Sequence, residues 1–468
     1  MMSRNTHHRI LLVNPWIYDF SAYDFRQKPL GLLYIGAILA KLGYHIALLD
    51  CMDRYQPAWA DTVESSPERE GAGRFPREEL AKPAALADIP RKYCRYGVPR
   101  DRLETWLRNQ PPPDIILMTS FMTYWYPAVV DMAELLRLFF PRAVLVLGGV
   151  YSTLCPEHAR QNVRPDYLIE GEGEQAAVRL IASLCDGPGA DFAFSHLDEL
   201  PYPWYQGYPV LASIALVTSR GCPYACSYCA SRILTAGYRR REASAVFREI
   251  RHWQEIRGVR QFAFFDDALL HQAEHYAKPL LRLLTGLDAS LSLHTPNGVQ
   301  PCCIDAELAG LLFSAGTKSL RLSFESGSAL RQQGKVNADE LESALNHLYR
   351  AGYSAAEIGV YILAGMPGQP MREVRESARR VHEMGARIYL ASYSPIPGTR
   401  EYQECVARGE WDAREDLLLT NNSLFPFWRK RYSSGELEEL SLWVKQLNHS
   451  LLSSDEDTLC RNPQTGPA

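Results

Sequence analysis

No apolar run in the 468-residue chain approaches the ~20 residues that a membrane-crossing helix needs. The stretch Ala143–Val150 reaches about half of that length. Met1–Arg9 carries charge and two histidines, with no apolar run followed by small residues. A secretory signal is therefore not expected there, and the expected compartment is the cytoplasm. A basic excess is also missing: 50 Lys and Arg stand against 54 Asp and Glu, a net charge of −4. That balance lowers the expectation of a nucleic-acid partner, and the missing apolar runs argue against a membrane one. No G-x-G-x-x-G follows the first strand, so a nicotinamide site has no support. No histidine cluster with metal-ligand spacing is present. What is present is a chain 46% hydrophobic and 22% charged, with eleven cysteines. At ~100–200 residues per domain, two or three domains are expected. An odd cysteine count in a long chain without an export signal favours metal or catalytic use over a disulfide framework.

The first 185 residues alternate short apolar runs with helical patterns. Arg9–Asn14, His45–Asp50, Asp114–Thr119, Ala143–Leu147 and Asp166–Glu170 read as strands. Leu30–Leu42 and Pro127–Phe140 read as helices between them. This pattern predicts an α/β, doubly wound (Rossmann-like or flavodoxin-like) domain, whose ligand sits outside the carboxyl ends of the strands. Residues 51–113 interrupt it with a polar, charged insertion expected to lie over that edge, in part mobile, with one helix near Arg100–Leu107. Its basic cluster Arg91, Lys92, Arg95, Arg100 and Arg102 reads first as a solvated face and second as an anion site. Residues 186–209 form a linker rich in aromatics. Tyr202, Trp204, Tyr205 and Tyr208 are expected as interdomain core rather than channel lining.

From 210 to 404 strands and helices alternate again. Strands are expected near Ser213–Thr218, Gln261–Asp266, Leu291–Thr295, Ser319–Glu325, Glu357–Ala364 and Arg387–Ser394. Six βα units in succession predict a partial (βα)6 TIM-type barrel with its chemistry at the carboxyl ends of the strands. Residues 405–468 are expected to add a small helical segment, centred on Leu437–Leu452, and a polar tail.

Right after the first barrel strand, Gly221–Cys229 reads G-C-P-Y-A-C-S-Y-C and places Cys222, Cys226 and Cys229 in a C-x3-C-x2-C pattern. Thiolates are soft ligands that select zinc or iron–sulfur centres. A structural zinc site closes with four ligands, yet the next histidines are His252 and His271. Three ligands on a four-iron cluster leave one iron open to a small molecule. Three buried cysteines, or zinc with a distant fourth ligand, are the alternatives.

The triad, with Tyr228 just before its third cysteine, resembles the radical S-adenosylmethionine (SAM) superfamily over about Ser213–Glu404. Further motifs fall at the expected strand ends. They are Phe264-Phe265-Asp266-Asp267, Leu322-Ser323-Phe324-Glu325-Ser326-Gly327, Tyr361-Ile362-Leu363-Ala364-Gly365-Met366-Pro367-Gly368 and Ser394-Pro395-Ile396-Pro397-Gly398-Thr399. The resemblance implies a [4Fe-4S] cluster on Cys222, Cys226 and Cys229, with SAM held by Tyr228, Asp266, Asp267, Ser323, Glu325, Ser326, Ile362 and Gly365. Its implied chemistry is reductive cleavage of SAM to a 5′-deoxyadenosyl radical, with the cofactor carrying the hard step.

The N-terminal domain shows glycine turns where a ligand can approach the backbone. Lys28-Pro29-Leu30-Gly31, Thr119-Ser120-Phe121-Met122-Thr123, Leu147-Gly148-Gly149-Val150-Tyr151 and Glu170-Gly171-Glu172-Gly173-Glu174 resemble, in order and spacing, the cobalamin-binding domain that precedes the barrel in one radical SAM class. Pro29, Leu30, Gly31, Ser120, Met122, Thr123, Gly148, Gly149, Val150, Tyr151, Glu170, Gly171 and Glu172 are the implied cobalamin contacts. Plain packing is the alternative for the glycines. The D-x-H-x-x-G signature that places a histidine below cobalt is absent: Asp50 is followed by Cys51-Met52-Asp53. A lower face without histidine is expected, with Met122, Tyr124 and Trp125 on the loop nearby. Arg95-Tyr96-Gly97-Val98-Pro99 and Thr420-Asn421-Asn422 also fit this cobalamin-dependent group.

The pairing implies radical methylation of an unactivated carbon or phosphorus centre through methylcobalamin. Ring closure, rearrangement or oxidation without methyl transfer is the second reading. A tRNA methylthiotransferase-like enzyme is a distant third, because Cys51, Cys94, Cys155 and Cys185 are scattered singly. A small-molecule or peptide substrate and a low-potential donor of ferredoxin or flavodoxin type are the expected partners.

Overall fold

The computed structural model describes residues 8–62, 71–287, 290–326 and 336–461. Gly327 of the fourth-strand motif lies outside the described residues. Five parallel strands form the first sheet: β1 (Arg9–Asn14), β2 (His45–Asp50), β3 (Ile115–Met118), β4 (Val144–Leu147) and β5 (Tyr167–Leu168). Their order is β5-β4-β3-β1-β2. This is the flavodoxin-like doubly wound order, with its switch point between β1 and β3. Burial on both faces explains the nearly continuous apolar runs. Ile10 and Leu12 of β1 join a core with helix α1 (Leu30–Lys41). Leu11 and Val13 join another with helix α2 (Tyr126–Phe139). Helix α3 (Glu174–Leu184) packs beside α1.

The second sheet holds β6 (Ile214–Leu216), β7 (Gln261–Phe264), β8 (Ser292–His294), β9 (Thr317–Glu325), β10 (Ile358–Ala364) and β11 (Arg387–Ser392), all parallel and paired in chain order. Among the described residues β6 and β11 do not pair, so the barrel is partial. The edge strand β11 is instead covered by the C-terminal helix, Ser434–Arg461. The Asn448 amide donates to the Ile388 carbonyl (2.8 Å) and accepts from its N–H (2.8 Å). This satisfies backbone groups that an open edge would leave unpaired. No helix among the described residues is long and apolar enough to cross a membrane.

The described part of the insertion is packed, while residues 63–70 lie outside the described residues. Arg77–Glu79 and Cys94–Tyr96 form an antiparallel sheet with Ile17–Asp19. Trp59, Leu86 and Tyr93 are buried in one core with Leu418 and Leu424 of the C-terminal segment. The basic cluster disperses into partners: Lys92 on Glu79, Arg95 on Glu78, Arg100 on Asp131 and Arg102 on Asp61, while Arg91 donates to the Ser423 carbonyl. Within the linker, Tyr205 and Tyr208 are fully buried. The Tyr205 hydroxyl donates to the Ala215 carbonyl of β6 (2.7 Å), and that of Tyr208 donates to Asp50 at the end of β2 (2.6 Å). These bonds seat the two sheets against each other.

Candidate active site

The carboxyl ends of the two sheets face one cavity of about 290 Å³. From the N-terminal domain it is lined by Leu30 and Gly31 at the start of α1, Met118 and Thr119 after β3, Gly148 and Gly149 after β4, and Gly171–Glu174 after β5. Val217, Ser219, Arg220 and Gly221 after β6, with Phe265 and Asp267 after β7, close it from the barrel side. A Cβ built on Gly31 or Gly171 meets no atom within 4 Å, and on Gly148 it meets only Ile169, at 3.9 Å. These turns therefore offer open backbone to a ligand. Gly149 differs. Its φ is +100°, and a Cβ would stand 2.3 Å from the Ser120 carbonyl oxygen, so packing itself demands glycine. Gly31→Phe is expected to fill the cavity without opening the fold. Equilibrium dialysis should show lost cobalamin retention, while the unfolding free energy stays within the ordinary scatter of surface variants, about 0.5 kcal/mol.

The cysteine loop is held by a short antiparallel ladder, Ser219–Arg220 against Arg239–Arg240. Gly221 turns into the loop with φ +77°, where a Cβ would stand 2.2 Å from the Gly237 carbonyl oxygen. Cys222 and Cys226 are half-buried and Cys229 is exposed. The Cys229 amide donates to the Cys226 carbonyl (3.2 Å), and the Ser231 amide donates to the Cys229 sulfur (3.5 Å). Such a donor favours a thiolate over a thiol. Among the described residues no three His, Cys, Asp or Glu side chains converge on one point as a single metal ion requires. A cluster that takes each thiolate on a separate iron makes no such demand. The Tyr228 hydroxyl is buried without a hydrogen-bond partner among the described residues.

An interdomain ion cluster grips this ladder. Arg220 donates to Glu174 (2.6 Å) and lies 3.7 Å from Glu172, while Arg239 also pairs with Glu172. The Arg220 guanidinium lies 5.4 Å from the ring centroid of Tyr34 on α1. The arginine two residues before Cys222 is thus bound to the G-E-G-E turn that borders the same cavity.

The structure separates the sequence-predicted residues. Leu30, Gly31, Gly148, Gly149, Gly171, Glu172 and Asp267 line the cavity. Asp266 does not. It is buried and accepts from the amides and hydroxyls of Thr218 and Ser219. Burial pushes its carboxyl up, against the pull of those donors. It ties β7 to the cysteine ladder, and the neighbouring Asp267, which accepts from the Ser231 hydroxyl, faces the cavity. Ile362 is fully buried in the helix-packed core, because alternate strand residues point to opposite faces. Ser326 is buried with its hydroxyl on Glu373 (2.9 Å). Gly365, at φ +88°, gives its amide to Gln369 (2.9 Å). Ser323 is half-buried on β9, and Glu325 ends that strand at φ +68°.

On the N-terminal side, Ser120 is buried and donates to the Gly148 carbonyl (2.7 Å). Val150 donates its amide to the Ser120 carbonyl (2.7 Å), and Tyr151 is buried with its hydroxyl on His158 (2.7 Å). Ser120 and Val150 tie the β3 and β4 ends together, Tyr151 packs onto the helix that follows, and none of the three lines the cavity. Pro29 and Thr123 are buried outside the lining as well, Met122 is exposed, and Glu170 is exposed on Arg160. Tyr124 and Trp125 also point elsewhere, to Asn422 and to Asp19. Sequence reasoning missed Arg220, Glu174 and Tyr34. The adjacency of an arginine to the cysteine motif, and of two glutamates to a glycine turn, was the available signal.

Residues 216–381 match the Radical SAM superfamily. The chain is 24% identical over 513 residues to cytidylyl-2-hydroxyethylphosphonate methyltransferase of Streptomyces wedmorensis, covering 93% of this chain and 86% of that protein. Over 288 residues it is 24% identical to an anaerobic magnesium-protoporphyrin IX monomethyl ester cyclase of Synechocystis sp., covering 55% of this chain and 49% of that one. Its fold is similar to that of the radical SAM methyltransferase TsrM from Kitasatospora setae, solved with cobalamin and a [4Fe-4S] cluster bound. That match has a TM-score of 0.61 at 17% identity and covers 87% of this chain and 78% of that one. A cysteine triad on the first barrel loop, whose base at Arg220 and Gly221 borders a cavity shared with a doubly wound domain, agrees with these likenesses: residues 216–381 form a radical SAM domain in an enzyme whose fold resembles that of the cobalamin-bound methyltransferase.

Proposed function

We propose that this enzyme is a cobalamin-dependent radical SAM methyltransferase acting on an unactivated carbon or phosphorus centre. The observation that carries the reading is the single cavity lined by strand ends of both domains, with open glycine backbone on one side and the base of the cysteine loop on the other. Cys222, Cys226 and Cys229 supply three soft donors for a [4Fe-4S] cluster, leaving one iron for SAM. The turns at Gly31, Gly148 and Gly171 fit cobalamin, and no histidine is among the cavity-lining residues. When bound, the cluster supplies the electron that splits SAM, and cobalamin supplies the methyl group. The chain's own part is to bind, orient and keep water out. Leu117, Val146 and Ile169 give the cavity an apolar wall. Asp267, fixed by Ser231, sets a carboxylate at the mouth of β7. A low-potential ferredoxin- or flavodoxin-type protein is the proposed electron donor.

The similarity to the cyclase favours one second reading, radical ring closure or oxidation without methyl transfer. Anaerobically reconstituted protein given cobalamin, SAM and a strong reductant separates the two when products are quantified by mass spectrometry. Methyl transfer yields both 5′-deoxyadenosine and S-adenosylhomocysteine. 5′-Deoxyadenosine alone would favour the second reading, and neither product with an intact cluster would overturn both.

A further inference from the structure

We propose that the barrel lumen contains an oxyanion subsite built on Arg321, which holds a carboxylate or a phosphonate group of the substrate. This rests on the reading above only in calling that ligand the substrate.

Along β9 and β10 burial alternates. Leu320, Leu322, Phe324, Val360 and Ile362 are sealed in the core shared with the barrel helices. Their neighbours Ser319, Arg321, Ser323 and Tyr361, with Tyr389 on β11, face the other way and are half-exposed in the middle of a sheet. The lumen is therefore open and polar. Arg321 is built into it. Its Nη2 donates to the Tyr389 hydroxyl (3.1 Å), its Nη1 donates to the Leu320 carbonyl (3.3 Å), and its guanidinium carbon lies 4.4 Å from the Tyr389 ring centroid. Gly359 clears the space: a Cβ there would stand 2.5 Å from the Tyr389 ring and 3.0 Å from Arg321 Cδ.

What Arg321 lacks is a carboxylate. Among the described residues no Asp or Glu lies within ion-pair distance of it. The buried Arg54, Arg95 and Arg241 and the largely buried Arg220 each have such a partner. A guanidinium presents five N–H donors in a fixed fork that matches oxyanions, and the two bonds above leave donors to spare. His294, bonded to Ser319 and Gln261 at 2.8 Å each, is held neutral, its pKa pushed down to about 3 by burial and by the charges of Arg26 and Arg321. Glu325 ends the same strand four residues on and forms no ion pair with Arg321.

The test is titration of the reconstituted full chain with methylphosphonate and with acetate, followed by ³¹P and ¹³C line broadening without reductant. Saturable binding of at least one probe is expected, weakened at least ~10-fold in Arg321→Met and partly retained in Arg321→Lys. Binding of methylphosphonate alone assigns a phosphonate, and of acetate alone a carboxylate. Should Arg321→Met fail to fold, Tyr389→Phe removes only the orienting hydroxyl and should weaken binding several-fold. No saturable binding of either probe, or equal binding by a folded Arg321→Met, overturns the subsite. Because no turnover is read, loss of the methyltransferase reading would leave this result standing, and the reverse.

Discussion

Anaerobically reconstituted Cys226→Ala is expected to lose the visible absorbance of an iron–sulfur cluster and to form 5′-deoxyadenosine more slowly by on the order of 100-fold or more. Changes one shell outside a metal site already cost about 10–100-fold, and this change removes a ligand. The cause is chemical rather than structural. Cys226 is half-buried on a loop whose backbone is fixed elsewhere, by the Ser219–Arg220 ladder, the Gly221 turn and the carboxylate of Asp266. Its carbonyl, which accepts from Cys229, survives the substitution. The unfolding midpoint of the cluster-free protein should therefore match that of cluster-free wild type. Cys302→Ser is the control. Cys302 is exposed on the loop after β8, and the variant should keep both cluster and turnover. A Cys226→Ala protein that still cleaved SAM reductively would refute the cluster assignment.

Arg220→Met should produce the largest loss of stability. Glu174 is 3% exposed and Arg220 13%, so the substitution strands a buried carboxylate. Breaking such a pair costs about 3–5 kcal/mol, well beyond the ordinary effect of a single substitution. Arg220→Lys should recover little, because an ammonium cannot both fork onto Glu174 and lie flat over Tyr34. Being buried, the effect should persist at high salt. Cobalamin retention should fall in parallel, since Arg220, Glu172 and Glu174 border one cavity. Denaturant unfolding of the two variants, with dialysis of cobalamin, checks both points. A loss under about 0.5 kcal/mol would show the ion cluster to be incidental.

Some of this was legible in the sequence because the information is local. The strand pattern of each sheet and the cysteine spacing are each set by residues close together in the chain. Other features depend on contacts between distant segments. Asp266 and Asp267 are identical side chains on consecutive positions. Only the fold shows that the first turns toward Thr218 and Ser219 and the second toward the cavity. The insertion reads as polar because its few large anchors, Trp59, Leu86 and Tyr93, find their core partly in Leu418 and Leu424, more than three hundred residues away. Asp19 is likewise satisfied by Asn421 (2.9 Å) and by Trp125 (2.7 Å). Ile362 lies in the core for a simpler reason: a motif at a strand end names consecutive residues, while a strand presents only every second one to a given face.

The central claim is that one chain holds cobalamin and an iron–sulfur cluster at a shared interdomain cavity with no histidine below the cobalt. Electron paramagnetic resonance of the reconstituted, cobalamin-loaded protein in its Co(II) state tests it most directly, with iron and cobalt quantified in the same desalted sample. The expected result is retained cobalt and cluster iron in every preparation, and a Co(II) spectrum without nitrogen superhyperfine splitting. Cobalt lost on desalting, or a spectrum split by an axial nitrogen, would contradict it.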